Sequence, residues 1–380
     1  IGKSYLNNNA PMHFSNKISD LEENHLLRSR RIAKSPQGTV MKIDNQDVVN
    51  FCSNDYLSLA NHAKIKEALI EGVEKYGAGS GASHLVSGHS DSHKLLEEAL
   101  AEFTGQESAL LFSSGYSANL GIFSALRDEI KWSIQDKLNH ASLIDGCRLI
   151  GLPIQRYHHN NLESLANKIK KQLGSGLVVT DNVFSMDGDR ANISGISKII
   201  DSSNTMLMQD DAHGFGVFDP IIPERSIYMA TLGKAAGVMG AFVSGDKGFI
   251  EFLIQKSRPY TYTTALPPNL CHAIQMSLEM IKHGEQREKL FKNIKFFRSM
   301  ASKLGLSFEQ SDSAIQPLII GYSSKALLIS NRLFKEGFFV SAIRPPTVPP
   351  NSARLRFTLS ADHTFEQIES LLEKVNNAMA

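Results

Sequence analysis

Asp210-Asp211-Ala212-His213 follows the apolar run Met206-Leu207-Met208, and twenty-four positions after Asp210 stands Lys234. That lysine sits in Ala230-Thr231-Leu232-Gly233-Lys234-Ala235-Ala236-Gly237, among residues with almost no side chain. Small flanks let a flat ring come close to the backbone. They also leave the amine partly desolvated, which lowers a lysine's pKa toward the nucleophilic free base. A surface lysine on a Gly/Ala turn has the same local sequence and is commoner, so the other residues must decide. A carboxylate at a strand end can hold a pyridine nitrogen protonated, and an imidazole three residues on can reach a phenolic oxygen. Lys234, Asp210 and His213 together suit pyridoxal 5'-phosphate (PLP), an electron sink carried on a lysine. His140, in Leu138-Asn139-His140-Ala141-Ser142-Leu143, could stack on the ring's open face. Ser185, in Val183-Phe184-Ser185-Met186-Asp187-Gly188-Asp189, could add a hydrogen bond to the phenolic oxygen.

Two other readings compete. Asp210, Asp211, His213 and His140 are all metal-ligand types. A metal would leave Lys234 without a task, and no close His-x-His or Cys spacing supports one. A structural Asp–His pair accounts for neither the lysine nor the glycine-rich turns.

These residues need elements to place them. Ala109-Leu110-Leu111-Phe112 reads as a strand running into Ser113-Ser114-Gly115-Tyr116-Ser117-Ala118-Asn119 and then a helix. Such a turn offers free N–H groups and the positive end of a helix dipole to a phosphate; an ordinary Ser-Gly cap is its plainer reading. Further apolar runs at Leu177 to Thr180, Met206 to Met208 and Gly240 to Val243 alternate with helical stretches, the pattern of a buried, mostly parallel sheet. Ligands in such sheets lie beyond the carboxyl ends of the strands, where His140, Ser185, Asp210, His213 and Lys234 all fall.

Before this sheet, Leu21 to Ala33 reads as a charged helix whose Arg28, Arg30 and Arg31 form a solvated face. Val40 to Phe51 reads as a hairpin turning at Asp44-Asn45, followed by a helix with Ile65, Ala68, Leu69 and Val73 on one face. Gly77-Ala78-Gly79-Ser80-Gly81-Ala82-Ser83 lacks the ending of a nucleoside-triphosphate loop and has no strand before it, so it reads as a hinge or a substrate-facing loop. A second helix over Ser92 to Phe103 ends at Gly105. After Lys282 the pattern is helix, strand (315–320), helix (325–336), strand pair (338–343 and 354–359) and a last helix opened by the capping box Thr364-x-x-Gln367. The expected architecture is α/β: an N-terminal arm over 12–50, a large domain with a mostly parallel mixed sheet over 51–281, and a small C-terminal α/β domain over 282–380.

The 380 residues are 42% apolar and 21% charged with net charge +1, a soluble composition that points to neither nucleic acid nor an anionic membrane. No apolar run approaches a membrane span. Cys52, Cys147 and Cys271 are few, odd in number and scattered, which fits a reducing cytoplasm. Ile1 to Pro11 reads as an appended leader ahead of Met12.

Taken together, Ser53-Asn54-Asp55-Tyr56-Leu57, Gly79-Ser80-Gly81, Leu85-Val86-Ser87-Gly88, His93-x-x-Leu96-Glu97, Asn139-His140-Ala141-Ser142, Phe184-Ser185-Met186-Asp187-Gly188-Asp189, Asp210-Asp211-Ala212-His213-Gly214 and Thr231-Leu232-Gly233-Lys234 resemble the α-oxoamine synthases. These are fold-type-I PLP enzymes that condense an amino acid with an acyl thioester, and the resemblance runs from about Leu21 onward. It implies Lys234 as the cofactor lysine, Asp210 on the pyridine nitrogen, His140 stacked on the ring, and His213 and Ser185 near the phenolic oxygen. It implies Gly115, Tyr116 and Thr231 at the phosphate, joined by Thr263 and Thr264 from a partner subunit, hence a homodimer with shared sites. Arg354 matches the arginine that grips the amino-acid carboxylate, and Asn54 falls in the substrate-binding motif. Within the family Leu85-Val86-Ser87-Gly88 favours L-alanine with pimeloyl-CoA or a pimeloyl carrier protein; glycine with acetyl-CoA is the alternative, and a serine-using enzyme or a silent partner subunit comes behind. Phe215, where the family has Thr, and the short Asp219-Pro220-Ile221-Ile222-Pro223-Glu224 depart from the pattern and bear on one wall of the site.

Overall fold

The computed structural model describes residues 14–201 and 203–379; the expected leader and Met12 lie outside the described residues. Helix α1 (Phe14–Glu23) opens this part of the chain. The helix expected through Ala33 therefore ends early. His25 takes a left-handed φ of 56°, Leu26 N–H donates to the Leu21 carbonyl at 2.7 Å and His25 N–H to that of Glu22 at 2.9 Å. That pair of bonds is a Schellman cap, which satisfies the last carbonyls and turns the chain away. Arg31 consequently stands on extended chain: it lies 3.9 Å over the Phe334 ring and pairs with Asp44 at 3.1 Å.

Strands β1 (Val40–Ile43) and β2 (Gln46–Asn50) pair antiparallel with Ile43 opposite Gln46. Asp44 and Asn45 both have positive φ, 49° and 70°, as a two-residue primed turn demands. Helix α2 (Ala63–Tyr76) buries Ile65, Ala68 and Gly72, whereas Val73, expected on that face, is exposed. Gly72 is required there, because a Cβ would meet the Asn269 backbone at 2.9 Å. A π-helical turn at His84–Gly88 leads into α3 (Asp91–Thr104), capped by left-handed Gly105.

The large sheet follows. Its elements are β3 (Ser108–Phe112), α4 (Gly115–Ala125), β4 (Trp132–Asp136), α5 (Ala141–Leu149), β5 (Ile154–Tyr157), α6 (Leu162–Ile169), β6 (Gly176–Asp181), α7 (Ile193–Ile200), β7 (Thr205–Asp210), β8 (Ser226–Thr231) and β9 (Ala241–Gly245). The strand order is β3-β9-β8-β7-β6-β4-β5. Pairings from β5 across to β8 are parallel, and β9 runs antiparallel to both of its neighbours. Both faces are covered. On β3, Ala109 and Leu111 join the cluster containing Tyr228, Phe242 and Leu278, while Leu110 and Phe112 join the one containing Ile122, Phe123 and Met208. Double burial accounts for the continuous apolar runs of these strands.

Helices α8 (Lys247–Lys256), α9 (Arg258–Thr261), α10 (Pro268–His283) and α11 (Glu285–Lys303) connect to β10 (Ile315–Gly321), α12 (Ser323–Lys335), β11 (Phe338–Phe339), β12 (Ser341–Ile343), β13 (Ala353–Thr358) and α13 (Phe365–Met379). Strands β10, β13 and β12 form an antiparallel sheet, and β11 pairs parallel with β2. The segment expected as an arm thus shares a sheet with C-terminal residues. Thr364 and Gln367 close the expected capping box on α13.

Candidate active site

The parallel strands end together, and their following turns surround a cavity of about 240 Å³. Asp210 closes β7, Thr231 closes β8, and Lys234 stands on the turn beyond, where Gly237 has a φ of 72°. That glycine is obligatory: an added Cβ would lie 2.5 Å from the Ala60 backbone nitrogen. Gly115, Tyr116, His140 and His213 complete the expected residues on the wall, and Asn119 and Asp181 stand among them.

Each group is held by its neighbours. The Asp210 carboxylate accepts Asn119 Nδ2 at 2.8 Å on one oxygen and Ala212 N–H at 3.0 Å on the other. Asn119 Nδ2 also reaches Ser142 Oγ at 2.8 Å, which ties α4 to α5. His140 caps α5 through Nδ1, 2.7 Å from Ser142 Oγ. Ser114 caps α4 by accepting Ser117 N–H at 3.1 Å. The first-turn N–H groups of Gly115 and Tyr116 have no intrahelical partner and point to the helix's positive end.

Lys234 Nζ lies 2.9 Å from His213 Nε2, and His213 Nδ1 lies 2.6 Å from the Tyr56 hydroxyl. Tyr56 in turn donates to Asn54 Oδ1 at 3.2 Å. The donor count assigns the tautomer: Nδ1–H donates to Tyr56, leaving Nε2 to accept from the amine. Burial and the nearby cations of Lys234 and Arg356 push His213 well below the ordinary histidine range, so it is neutral. Burial also lowers His140, with Asp210 opposing that shift. Lys234 falls to about 8, chiefly by burial, with Arg356 lowering it further and Asp210, Asp181 and Asp211 pulling it back up. The amine is therefore still mostly protonated at pH 7, but it carries far more free base there than an ordinary lysine. Asp181, beside Asp210 on the neighbouring strand, is pushed well up by burial and by that neighbour's charge. Asp211 turns away from the cavity, with the Tyr228 hydroxyl donating to it at 2.6 Å. The acids and imidazoles weighed above as metal ligands thus serve separate partners.

Other expected residues fall elsewhere. Ser185 presents its carbonyl to Arg356 Nε at 2.6 Å, outside the cavity wall. Arg354 is buried and occupied: Nη1 meets Asp187 Oδ1 at 2.6 Å and the Met186 carbonyl at 3.2 Å. Arg356, two residues on and so on the same strand face, reaches Asn54 Oδ1 with both terminal nitrogens at 3.2 Å. Its influence on Lys234, His213 and Tyr56 makes it the nearer arginine. Thr263 and Thr264 lie beside the tie between Ala265 N–H and the Ala82 carbonyl, away from this cavity. Phe215, at the departure from the family pattern, packs in the core between Phe103 and Phe242 at 5.2 and 5.3 Å. The short connection after it is pinned by Arg287 on Asp219 at 2.6 Å. The departure therefore shapes the core and leaves the cavity wall intact.

A larger cavity, about 640 Å³, adjoins Cys52 and Ser53 and carries Arg28, Arg31 and Arg344 on its wall. Arg344 holds the His25 and Leu27 carbonyls, and Arg28 donates to Thr347 at 3.0 Å.

A mostly parallel sheet with a desolvated lysine, a strand-end carboxylate and a capped helix N-terminus at one end defines a lysine-dependent α/β enzyme class. The chain belongs to the class I and II aminotransferase family, whose model matches residues 46–375. It is 48% identical over 375 residues to the 8-amino-7-oxononanoate synthase of Methylococcus capsulatus, covering 95% of this chain and 97% of that one. The Pseudomonas putida KT2440 enzyme of the same name is 46% identical over 376 residues, with 96% and 95% covered. Among solved structures, Sphingomonas wittichii serine palmitoyltransferase superposes with a TM-score of 0.88 at 27% identity over 96% of each chain. The Francisella tularensis 8-amino-7-oxononanoate synthase does so with a TM-score of 0.75 at 31% identity, over 87% of this chain and 98% of that one. A high-resolution SPT structure that contains PLP also matches, with a TM-score of 0.88 at 27% identity over 96% and 97%.

Proposed function

We propose that this chain is a PLP-dependent acyltransferase that joins L-alanine to a pimeloyl thioester, with loss of carbon dioxide, to form 8-amino-7-oxononanoate, a step of biotin biosynthesis. The observation that carries the reading is the identity of 46–48% along almost the whole chain to enzymes of that name, against 27% to serine palmitoyltransferase.

The donor set fits the cofactor. Lys234 would hold it through Nζ, and Asp210, fixed from two sides, would face the pyridine nitrogen. The Gly115 and Tyr116 N–H groups and the Thr231 hydroxyl would meet the phosphate, with His140 against the ring, His213 toward the phenolic oxygen and Ser185 on the loop beyond. When bound, PLP supplies an electron sink for negative charge at the carbon bearing the amino group. Lys234 Nζ, with its lowered pKa, takes the α-proton from L-alanine and later returns one. His213 is neutral and anchored through Tyr56, so it accepts from that amine without competing for the proton. Of the two arginines on β13, Arg356 with Asn54 is placed to orient the substrate carboxylate by a planar fork, and Arg354 braces the Asp187 loop. The cavity with Arg28, Arg31 and Arg344 is suited to an anionic acyl donor, coenzyme A or carrier-protein linked.

The homodimer belongs to the same reading. Tyr262 is 74% and Val86 79% exposed on segments joined by the Ala82–Ala265 bond. Such apolar exposure suits burial against a second copy, whose site Thr263 and Thr264 would complete. Sedimentation of the wild-type protein should give twice the chain mass.

The substrate assignment is tested by mass spectrometry of products from PLP-loaded protein given L-alanine, glycine or L-serine with pimeloyl-CoA or acetyl-CoA. 8-Amino-7-oxononanoate from the first pair is the expected result. A product only from glycine and acetyl-CoA would replace this reading by the alternative that joins those two.

A further inference from the structure

His159 lies just past the carboxyl end of β5, the edge strand of the sheet, four strands from β8. Its Nδ1 is 2.9 Å from Asp136 Oδ1 and its Nε2 is 2.8 Å from Asp189 Oδ2. Ionised carboxylates only accept, so with Asp136 and Asp189 both ionised each ring nitrogen donates and the ring is an imidazolium. Burial opposes that charge, yet the two hydrogen-bonded carboxylates outweigh it and push the pKa up to about 10. The ring also packs edge-on to Phe184, with centroids 4.4 Å apart.

The two acids serve different parts of the site. Asp136 ends β4, and its carboxylate also accepts Leu138 N–H at 2.8 Å and Asn160 N–H at 2.9 Å. It thereby shapes the turn that delivers His140. Asp189 closes the loop over 183–190, where Phe184 N–H donates to its carbonyl at 3.0 Å and Asn160 Nδ2 to its carboxylate at 2.7 Å. That loop offers the Ser185 carbonyl to Arg356 and the Asp187 carboxylate to Arg354. Arg156 on β5, Lys137 after β4, Asp181 at the end of β6, Asp210 at the end of β7, and Asp187 and Arg190 on the loop also carry charge on the elements around it.

We propose that His159 is a positioning residue: a fixed cation between Asp136 and Asp189, it locks the turn carrying His140 to the loop that seats Arg354 and Arg356. It thereby fixes the spacing between the face that stacks on the ring and the arginine that receives the substrate carboxylate. Without the imidazolium, two carboxylates share one pocket and the 183–190 loop keeps only its Asn160 bonds to this turn. The kinetic part of this proposal rests on the amino-acid reading of the site; the charge of the ring does not.

Two experiments test it. In PLP-loaded His159→Gln, KM for L-alanine should rise about tenfold while kcat falls less than about threefold, the pattern of lost orientation at the carboxylate. Adding Asp189→Asn should return thermal stability by removing the unpaired acid, yet leave KM raised. A merely structural residue would lower stability and the active fraction with KM unchanged, and that result overturns the proposal. Independently, 1H–15N NMR of the imidazoles in wild-type apoprotein should show both His159 nitrogens protonated through pH 9; a ring that titrates near its ordinary value overturns it. Wild-type protein inactive with L-alanine but showing the protonated ring would refute the function and leave the clamp standing.

Discussion

His213 and His159 are the same residue type at the same end of one sheet, past its central strand β7 and its edge strand β5, and one is neutral where the other is a cation. Past the end of β7, His213 faces Lys234 and Arg356, and burial with those cations keeps it neutral. Past β5, His159 lies between two carboxylates and stays charged against the cost of burial. Neighbours, and not the residue type, set the state of an imidazole. The neutral ring suits proton traffic at Lys234; the charged one suits a fixed strut.

The comparison can be broken at several points. The largest effect is expected from Lys234→Ala, which removes the group that His213 faces: turnover should fall by at least about a thousandfold while circular dichroism stays native. Asp210→Asn should follow, costing about a hundredfold or more in kcat, because the proposed place of Asp210 is against the cofactor's ring nitrogen, which would lose its counter-charge. It also removes a charge that raises Lys234, so the lysine should titrate lower than about 8.

The arginines sharpen the picture. Arg356→Gln should raise KM for L-alanine about tenfold or more, a larger rise than Arg354→Gln gives. Because Arg356 lowers Lys234, its loss should move the lysine's titration upward. The sign can be read from the rate of PLP uptake by apoprotein, which should rise with pH through about 8 in wild type as the amine loses its proton, and through a higher pH in Arg356→Gln. The smallest effect is expected from Tyr56→Phe, which frees His213 to change tautomer at the loss of one hydrogen bond, about 1 kcal/mol or a fewfold in kcat.

Much of this was readable in the chain. Strands β6, β7 and β9 announce themselves as apolar runs because the sheet is buried on both faces, and Lys234 with Asp210 stands out by its small or apolar flanks. Strand β4 does not, since Trp132, Ser133, Ile134, Gln135 and Asp136 mix polar residues into a wholly buried strand. The helix over-extended to Ala33 failed at His25, whose left-handed cap leaves no mark among helix-forming neighbours. Arg354 and Arg356 share a strand face, so spacing alone could not choose between them. Their partners separate them: Asp187 and the Met186 carbonyl hold Arg354, whereas Asn54 and the Ser185 carbonyl hold Arg356. His159 was silent for a different reason: its two acids, Asp136 and Asp189, lie far from it in sequence on opposite sides and meet only through the crossovers.

The proposed function is one reaction at one lysine, and free-thiol release from pimeloyl-CoA by PLP-loaded wild-type protein tests it most directly. It predicts release that depends on L-alanine, exceeds that with glycine and vanishes in Lys234→Ala. Release that persists in Lys234→Ala, or that ignores the amino acid supplied, would contradict it.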